Sequence, residues 1–276
     1  MKKNLYLVII SLITIMVIIF STCFHVGNVV SKLFPFGALW NDDETTLSGD
    51  EIDVTESLDA FENIKVDTSA CDVRVSYGDG FSWNYQGDSS LKPEIRLDGN
   101  TLIVSEEGGV HFHWGDWDVD CKTTITVPEG TVLNGIEVDS SAGNFLMKDI
   151  SVDKIKADLS AGNVQLKNIT ADAADFDLSA GNFNIDDSNV KVIKCDCSAG
   201  NAEFKDITFE KLDADMSAGN LQIQSAVNLD DAHIEADSTD LHIQDKRIRG
   251  GSFEQDGNDN IKVIIDCSAG SASLEW

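Results

Sequence analysis

The sequence predicts an all-β fold: a single-domain β-solenoid of 19-residue coils, with antiparallel strands at its N-terminal side and one transmembrane helix before it. Three observations predict this. The tetrapeptide Ser-Ala-Gly-Asn begins at Ser141, Ser160, Ser179, Ser198 and Ser217, always 19 residues apart. Apolar and polar residues alternate between the copies. An apolar run from Leu5 to about Val26 follows Lys2 and Lys3.

The apolar run comes first. A helix of that length spans about 33 Å at 1.5 Å per residue, enough for a bilayer core of about 30 Å. Lysines before it stay on the cytoplasmic side, which sends the rest of the chain outside. The reading is a cytoplasmic tip at 1–4 and an uncleaved signal-anchor at 5–26. No small-x-small site closes the run, which argues against a cleaved secretory signal. A lipoprotein signal would lipidate Cys23, but Thr22 stands where a smaller residue is usual before such a cysteine. Residues 27–60 read as an acidic linker, extended by charge repulsion, with no Lys or Arg from Asn41 to Glu62. The alternative there is a first strand near Ile52–Val54. The β-repeat domain takes 61–276.

Within that domain the repeat has an internal logic. Ile155, Ala157, Leu159 and Ala161 share one face of a strand, and Lys156, Asp158 and Ser160 share the other. Gly162 and Asn163 break it, since both tolerate positive φ. The same structural turn falls at Gly143–Asn144, Gly181–Asn182, Gly200–Asn201 and Gly219–Asn220. A second turn is expected near Lys167–Asn168, with Ile169 back in the core. Weaker copies start at Asp67, Asp237 and Asp266. Hairpins in a meander need not hold their length, whereas a coil must return to one place, so the constant period favours the solenoid. Stacked Asn side chains would form amide ladders. The segment from Tyr77 to Val138 interrupts the period. It reads as antiparallel strands at Glu94–Leu97, Thr101–Ser105 and Thr123–Val127, which extend or cap the N-terminal side of the repeat sheet.

Thr126-Val127-Pro128-Glu129-Gly130-Thr131, the strand after it that ends at Asp139, and the run of D-x-S-A-G-N units resemble the bacterial toastrack or putative-adhesin β-strand repeat family, whose function is unknown. The likeness covers about residues 61–276. It implies a membrane tether and a cell-envelope role in adhesion or stress sensing. It implies no reaction and supplies no catalytic residues. Many members have Gly-Asp where this chain has Gly-Asn.

The formal net charge of −28 excludes nucleic acid as a partner and disfavours flat contact with anionic lipid. It attracts cations or basic partners. Stacking would align Asp139, Asp158, Asp177, Asp196 and Asp215, where Ca²⁺ could relieve repulsion. The simpler reading is that a Ser hydroxyl or turn N–H binds each Asp, with Lys156 or Lys194 screening it, so no cofactor is expected. His111 and His113 share a strand face and could hold a transition metal, with Asp116, Asp118 or Cys121 completing the site. Trp114 and Trp117 could stack on a sugar or a protein. The plain alternative for both pairs is an exposed aromatic hairpin edge. Cys195, Cys197 and Cys267 occupy core slots of the repeat. Cys71 and Cys121 are able to pair, but spacing alone does not show it.

The motifs of zinc proteases, serine hydrolases, P-loops and dinucleotide folds are absent from the sequence. The expected function is a non-catalytic, membrane-anchored envelope scaffold that binds a protein or glycan partner. A stress-sensing module working through a membrane partner is the alternative. A polysaccharide-active β-helix is a third reading and has the least support.

Overall fold

The computed structural model describes residues 50–106, 121–244 and 246–276. The apolar segment 5–26, Cys23 and residues 107–120 lie outside them. Among the described residues no helix is long and apolar enough to cross a membrane. They form strands and one 3₁₀ turn, Ser89–Leu91.

The domain opens with β1 (Glu51–Ser57), β2 (Asn63–Thr68), β3 (Asp72–Gly78) and β4 (Ser82–Asp88). A hairpin of β5 (Glu94–Asp98) and β6 (Thr101–Ser105) follows, then β7 (Lys122–Pro128). The repeat block begins with β8 (Val132–Ala142) and β9 (Phe145–Lys148), then the continuous β10 (Ser151–Lys167). It goes on through β11 (Thr170–Leu178), β12 (Gly181–Asp186), β13 (Asn189–Cys197), β14 (Gly200–Ile207), β15 (Lys211–Met216) and β16 (Gly219–Ser225). The C-terminal part is β17 (Ala232–Ile243), β18 (Lys246–Arg247), β19 (Ser252–Gln255) and β20 (Asn258–Glu275).

Each coil crosses the stack twice. The half before the Ser-Ala-Gly corner joins a first sheet, and the half after it joins a second. Coils pair in parallel, with like residues opposite: Asp158 faces Asp177, and Asn163 faces Asn182. The core lies between the two sheets. Ile155, Ala157 and Leu159 enter it from one side, Val164 and Leu166 from the other, all buried. Phe176 meets Phe183 there with ring centroids 4.4 Å apart. Each aliphatic side chain so buried contributes about 1.5–3 kcal/mol. Ala161 departs from the expected face and is exposed, because the chain is already turning at the corner.

Both turns repeat as well. At the first, Gly143, Gly162, Gly181, Gly200, Gly219 and Gly270 all have φ between 129° and 151°. At Gly181 an added Cβ would lie 1.6 Å from the carbonyl oxygen of Gly162. No side chain fits there, so the corner requires glycine twice over, by conformation and by contact. At the second turn Asp149, Asn168, Asp187 and Asp206 take φ of 50–59°. Asn and Asp tolerate this left-handed backbone better than other side chains.

The two ends differ from a stack in sequence order. β2 and β3, the first coil, pair with β8 and β9 on one side and with β6 and β7 on the other. β6 and β7 are therefore parallel members of the stack, and the antiparallel strands are β5, β4 and β1 at its margin. At the opposite end β20 lies between β15–β16 and β17. β18 and β19 then pair antiparallel with β17.

β1 also revises the linker boundary. Glu51–Ser57 pairs with β4 along its whole length, so folded structure begins inside the segment read as linker to residue 60. Its acids do not prevent this, because Asp53 accepts hydrogen bonds from Asn84 and Gln86 at 2.7 and 2.9 Å. An edge strand this acidic also resists pairing with another chain.

Gly181→Ala should lower unfolding stability by about 3 kcal/mol or more, whereas a loss under ~1 kcal/mol in urea denaturation would contradict the corner contact.

Candidate functional site

The outward face of the first sheet carries two columns of charged side chains. In the one nearest the corner, Asp67 pairs in register with Asp139, and Asp139 with Asp158. The line continues through Asp177, Asp196 and Asp215. It ends with Asp266 and then Asp237, in stacking order. Neighbouring strands are about 4.8 Å apart. Carboxylates at that spacing repel by about 1 kcal/mol per pair in water.

The next column, two residues earlier in each strand, alternates in sign. Lys65, Glu137, Lys156, Asp175, Lys194 and Asp213 stand side by side in that order. Lys65 reaches Glu137 at 3.2 Å. This column carries equal numbers of acids and bases, whereas the aspartate column beside it is wholly acidic and takes one ion pair from it, Lys194 to Asp196. Cross-strand pairs of opposite charge support the sheet, and like pairs oppose it. The first column therefore lies where sheet stability gains nothing from its charge.

Local bonding offsets little of that repulsion. The expected Ser-to-Asp bonds reduce, among the described residues, to Ser268 Oγ and Asp266 Oδ1 at 3.5 Å. Lys194 pairs with Asp196. Asp215 is held above the usual carboxylate range, first by partial burial and then by Asp266 and Asp196. Most of the column's carboxylates, Asp196 and Asp266 excepted, have no side-chain partner among the described residues.

The corner holds a different column. Asn163 Nδ2 donates to Asn144 Oδ1 at 2.7 Å, Asn182 to Asn163 at 2.8 Å, Asn201 to Asn182 at 3.0 Å and Asn220 to Asn201 at 2.8 Å. Ser271 Oγ is 2.7 Å from Asn220 Oδ1 and closes one end. At the other end Asp72 Oδ1 accepts from both the backbone N–H and Nδ2 of Asn144, each at 2.8 Å. All the amides point one way, and the chain of donors terminates on a carboxylate. Such chains polarise their members cooperatively. Each amide has its partner, so this column reads as structural. The sequence contained the signal for its terminus: Asp72 follows Ser69-Ala70-Cys71 at the Asn position.

The second turn gathers Asp186, Asp187 and Asp206, whose ligand atoms lie within 4.8 Å of one another. Lys167 Nζ already meets Asp186 at 2.9 Å and Asp187 at 3.4 Å. His111, His113, Trp114, Asp116 and Trp117 lie outside the described residues. Cys71 and Cys121 form a disulfide, with Cα atoms 4.8 Å apart, which ties the first coil to β7. Cys195, Cys197 and Cys267 are buried, and burial raises the thiol pKa of each, so they are inert packing residues.

The raised Asp215 pKa sets a pH dependence. Its folded-state pKa lies above its unfolded value, so it favours folding while protonated. That contribution is full below the unfolded pKa of about 3.9 and is lost as pH rises through the folded value. Asp215→Asn should therefore melt at a higher temperature than the parent near pH 7. The advantage should vanish near pH 3, and an equal advantage at both pH values would contradict the electrostatic origin.

Residues 61–264 match the family described as Toastrack DUF4097. No curated protein matches the chain. Among solved structures, a putative cell adhesion protein from Clostridium sporogenes is 12% identical, with a TM-score of 0.43 over 82% of this chain and 99% of its own. A putative adhesin from Bacteroides fragilis is 18% identical, with a TM-score of 0.42 over 82% of this chain and 98% of its own. A putative adhesin from Parabacteroides distasonis is 15% identical, with a TM-score of 0.43 over the same shares, 82% and 98%. The family match spans most of the sequence and the whole corner column up to Asn220: the chain belongs to the Toastrack DUF4097 family.

Proposed function

We propose that this protein is a non-catalytic, adhesin-like scaffold of the cell envelope. Its 5–26 segment holds it in the membrane, its domain stands outside the cytoplasm, and the outer face of its first sheet binds a protein or glycan partner. The observation that carries the reading is the aspartate column. Eight carboxylates are aligned along one sheet face, beside a column of balanced charge. A fixed line of charge attracts cationic groups on a partner and speeds encounter at low salt. The partner therefore presents basic side chains or amino sugars to this face. The Cys71–Cys121 disulfide suits an oxidising, extracytoplasmic compartment.

Two measurements test the reading. Protease added to intact cells should digest the domain, and the undigested chain should sediment with membranes. Asp158→Asn/Asp177→Asn/Asp196→Asn removes three central charges at outward positions. The full-length variant should melt no lower than the parent and lose the partner that the parent captures from envelope extracts. Capture that survives the triple substitution would place the partner elsewhere. A domain shielded from protease would refute the location.

A further inference from the structure

The chain has four arginines, and two of them stand one residue apart at the C-terminal end of the stack, in Lys246-Arg247-Ile248-Arg249-Gly250-Gly251. This is a basic run in a protein of net charge −28. It lies at a concave place. Thr239, Arg247, Ile248, Arg249, Gly250 and Gly251 line a recess of about 510 Å³. The backbone makes the hollow. Gly251 has φ of 76°, and its Cβ, if present, would lie 2.2 Å from the carbonyl oxygen of Ser238. The Ser238 N–H donates to the Gly251 carbonyl at 2.8 Å, which draws the loop down onto β17.

The recess is held firmly and its cations are accessible. β18 pairs with β17 so that Arg247 faces His242. Arg247 Nε lies 2.8 Å from Asp240 Oδ1 as an ion pair, and the arginine side chain stays largely exposed, with further N–H donors in its guanidinium fork. Arg249 is exposed and pairs with no described residue. Two forked donors beside a glycine floor suit the planar oxyanion of a carboxylate or the oxygens of a phosphate better than a point charge.

We infer that this recess binds the oxyanion of an acidic glycan, a carboxylate or a phosphodiester. The site adjoins the last carboxylate of the aspartate column, Asp237, and takes a ligand of opposite charge. A flat anionic membrane would bring its surface potential against the whole acidic domain, and nucleic acid needs a basic stripe where this chain has one short run. A flexible anionic polymer reaches the end of the stack with the rest of its chain directed away from the acidic faces, and so avoids most of that penalty. The recess has room for one sugar, and Ile248 offers an apolar wall for a ring face.

The test titrates the full-length protein in non-ionic detergent with polygalacturonate, polyphosphate and neutral dextran, followed by calorimetry at ~20 mM salt, where screening is weak. One or both polyanions should bind saturably, and dextran should not. Polygalacturonate alone would assign the carboxylate, and polyphosphate alone the phosphodiester. Arg249→Gln leaves the Arg247–Asp240 pair in place and should weaken binding about tenfold with an unchanged melting temperature. Arg247→Gln/Arg249→Gln should abolish it. Lys154→Gln/Lys156→Gln removes equal charge far from the recess and should bind like the parent. The aspartate triple variant should keep polyanion binding, so this site and the acidic face fail or stand separately. Absence of binding by both polyanions, equal binding by the arginine variants, or an equal loss in the lysine variant would overturn the inference.

Discussion

The close contact of glycines at the Ser-Ala-Gly corner is the constraint on which the rest depends. With Gly181 packed against the Gly162 carbonyl, adjacent coils cannot slide past each other by a residue without driving a Cβ into backbone. The corner therefore fixes the register of both sheets. Registered sheets put like residues opposite like, and this creates columns where a meander would have scattered side chains. The asparagine ladder, the aspartate line and the alternating-charge line all follow from it. Their energies differ in sign. The ladder adds about 0.5–1.5 kcal/mol for each bond, and a line of carboxylates subtracts a comparable amount. A fold that carries both balances a costly column against many modest favourable terms and a continuous core.

The sequence showed the repeat because the constraint acts within nineteen residues. Gly, Asn and Asp recur since each has a local reason, a positive φ, a side chain of the right length or a place on the outer strand face. The alternation of Ile155, Ala157 and Leu159 was equally readable, because side-chain period follows backbone geometry. The misreading of Ala161 marks the limit of that rule: period-2 alternation ends where the chain bends, and the tetrapeptide alone does not say which of its residues bends first.

The ends were less legible. Which coil stacks on which depends on edge pairing between segments far apart in sequence, and β20 and β17 carry similar patterns. The one local cue is Ser268-Ala269-Gly270, whose glycine packs on Gly219, whereas the β17 copy, Asp237-Ser238-Thr239-Asp240, has no glycine. The parallel placement of β6 and β7 was hidden for the same reason. Thr101–Ser105 has a clear hairpin partner in β5, and its second, parallel partner, β2, lies across the sequence. The charge columns show a related limit. Lys65, Glu137 and Lys156 look unrelated in the sequence, and their alternation exists only once the stack is built. The basic recess was invisible for a simpler reason: its depth comes from the approach of Gly251 to Ser238, a contact that no local pattern announces.

The position of β20 has a consequence for how the molecule is assembled. A growing chain releases β17 before β20, yet in the finished stack β20 separates β17 from β15–β16. Simple growth from one end, each coil laid on the one before, cannot produce this order. Until β20 arrives, the parallel edge of β15 and β16 stands open and β17, β18 and β19 have no seat against the core. The later segment then acts as a keystone, entering between two earlier ones and locking both. The first coil is enclosed in the same way between β6–β7 and β8–β9. A rod made of repeats would ordinarily fray from its tips. Here each tip is sealed by a coil whose neighbours in space are not its neighbours in the chain, so opening either end must disturb segments remote from it in sequence.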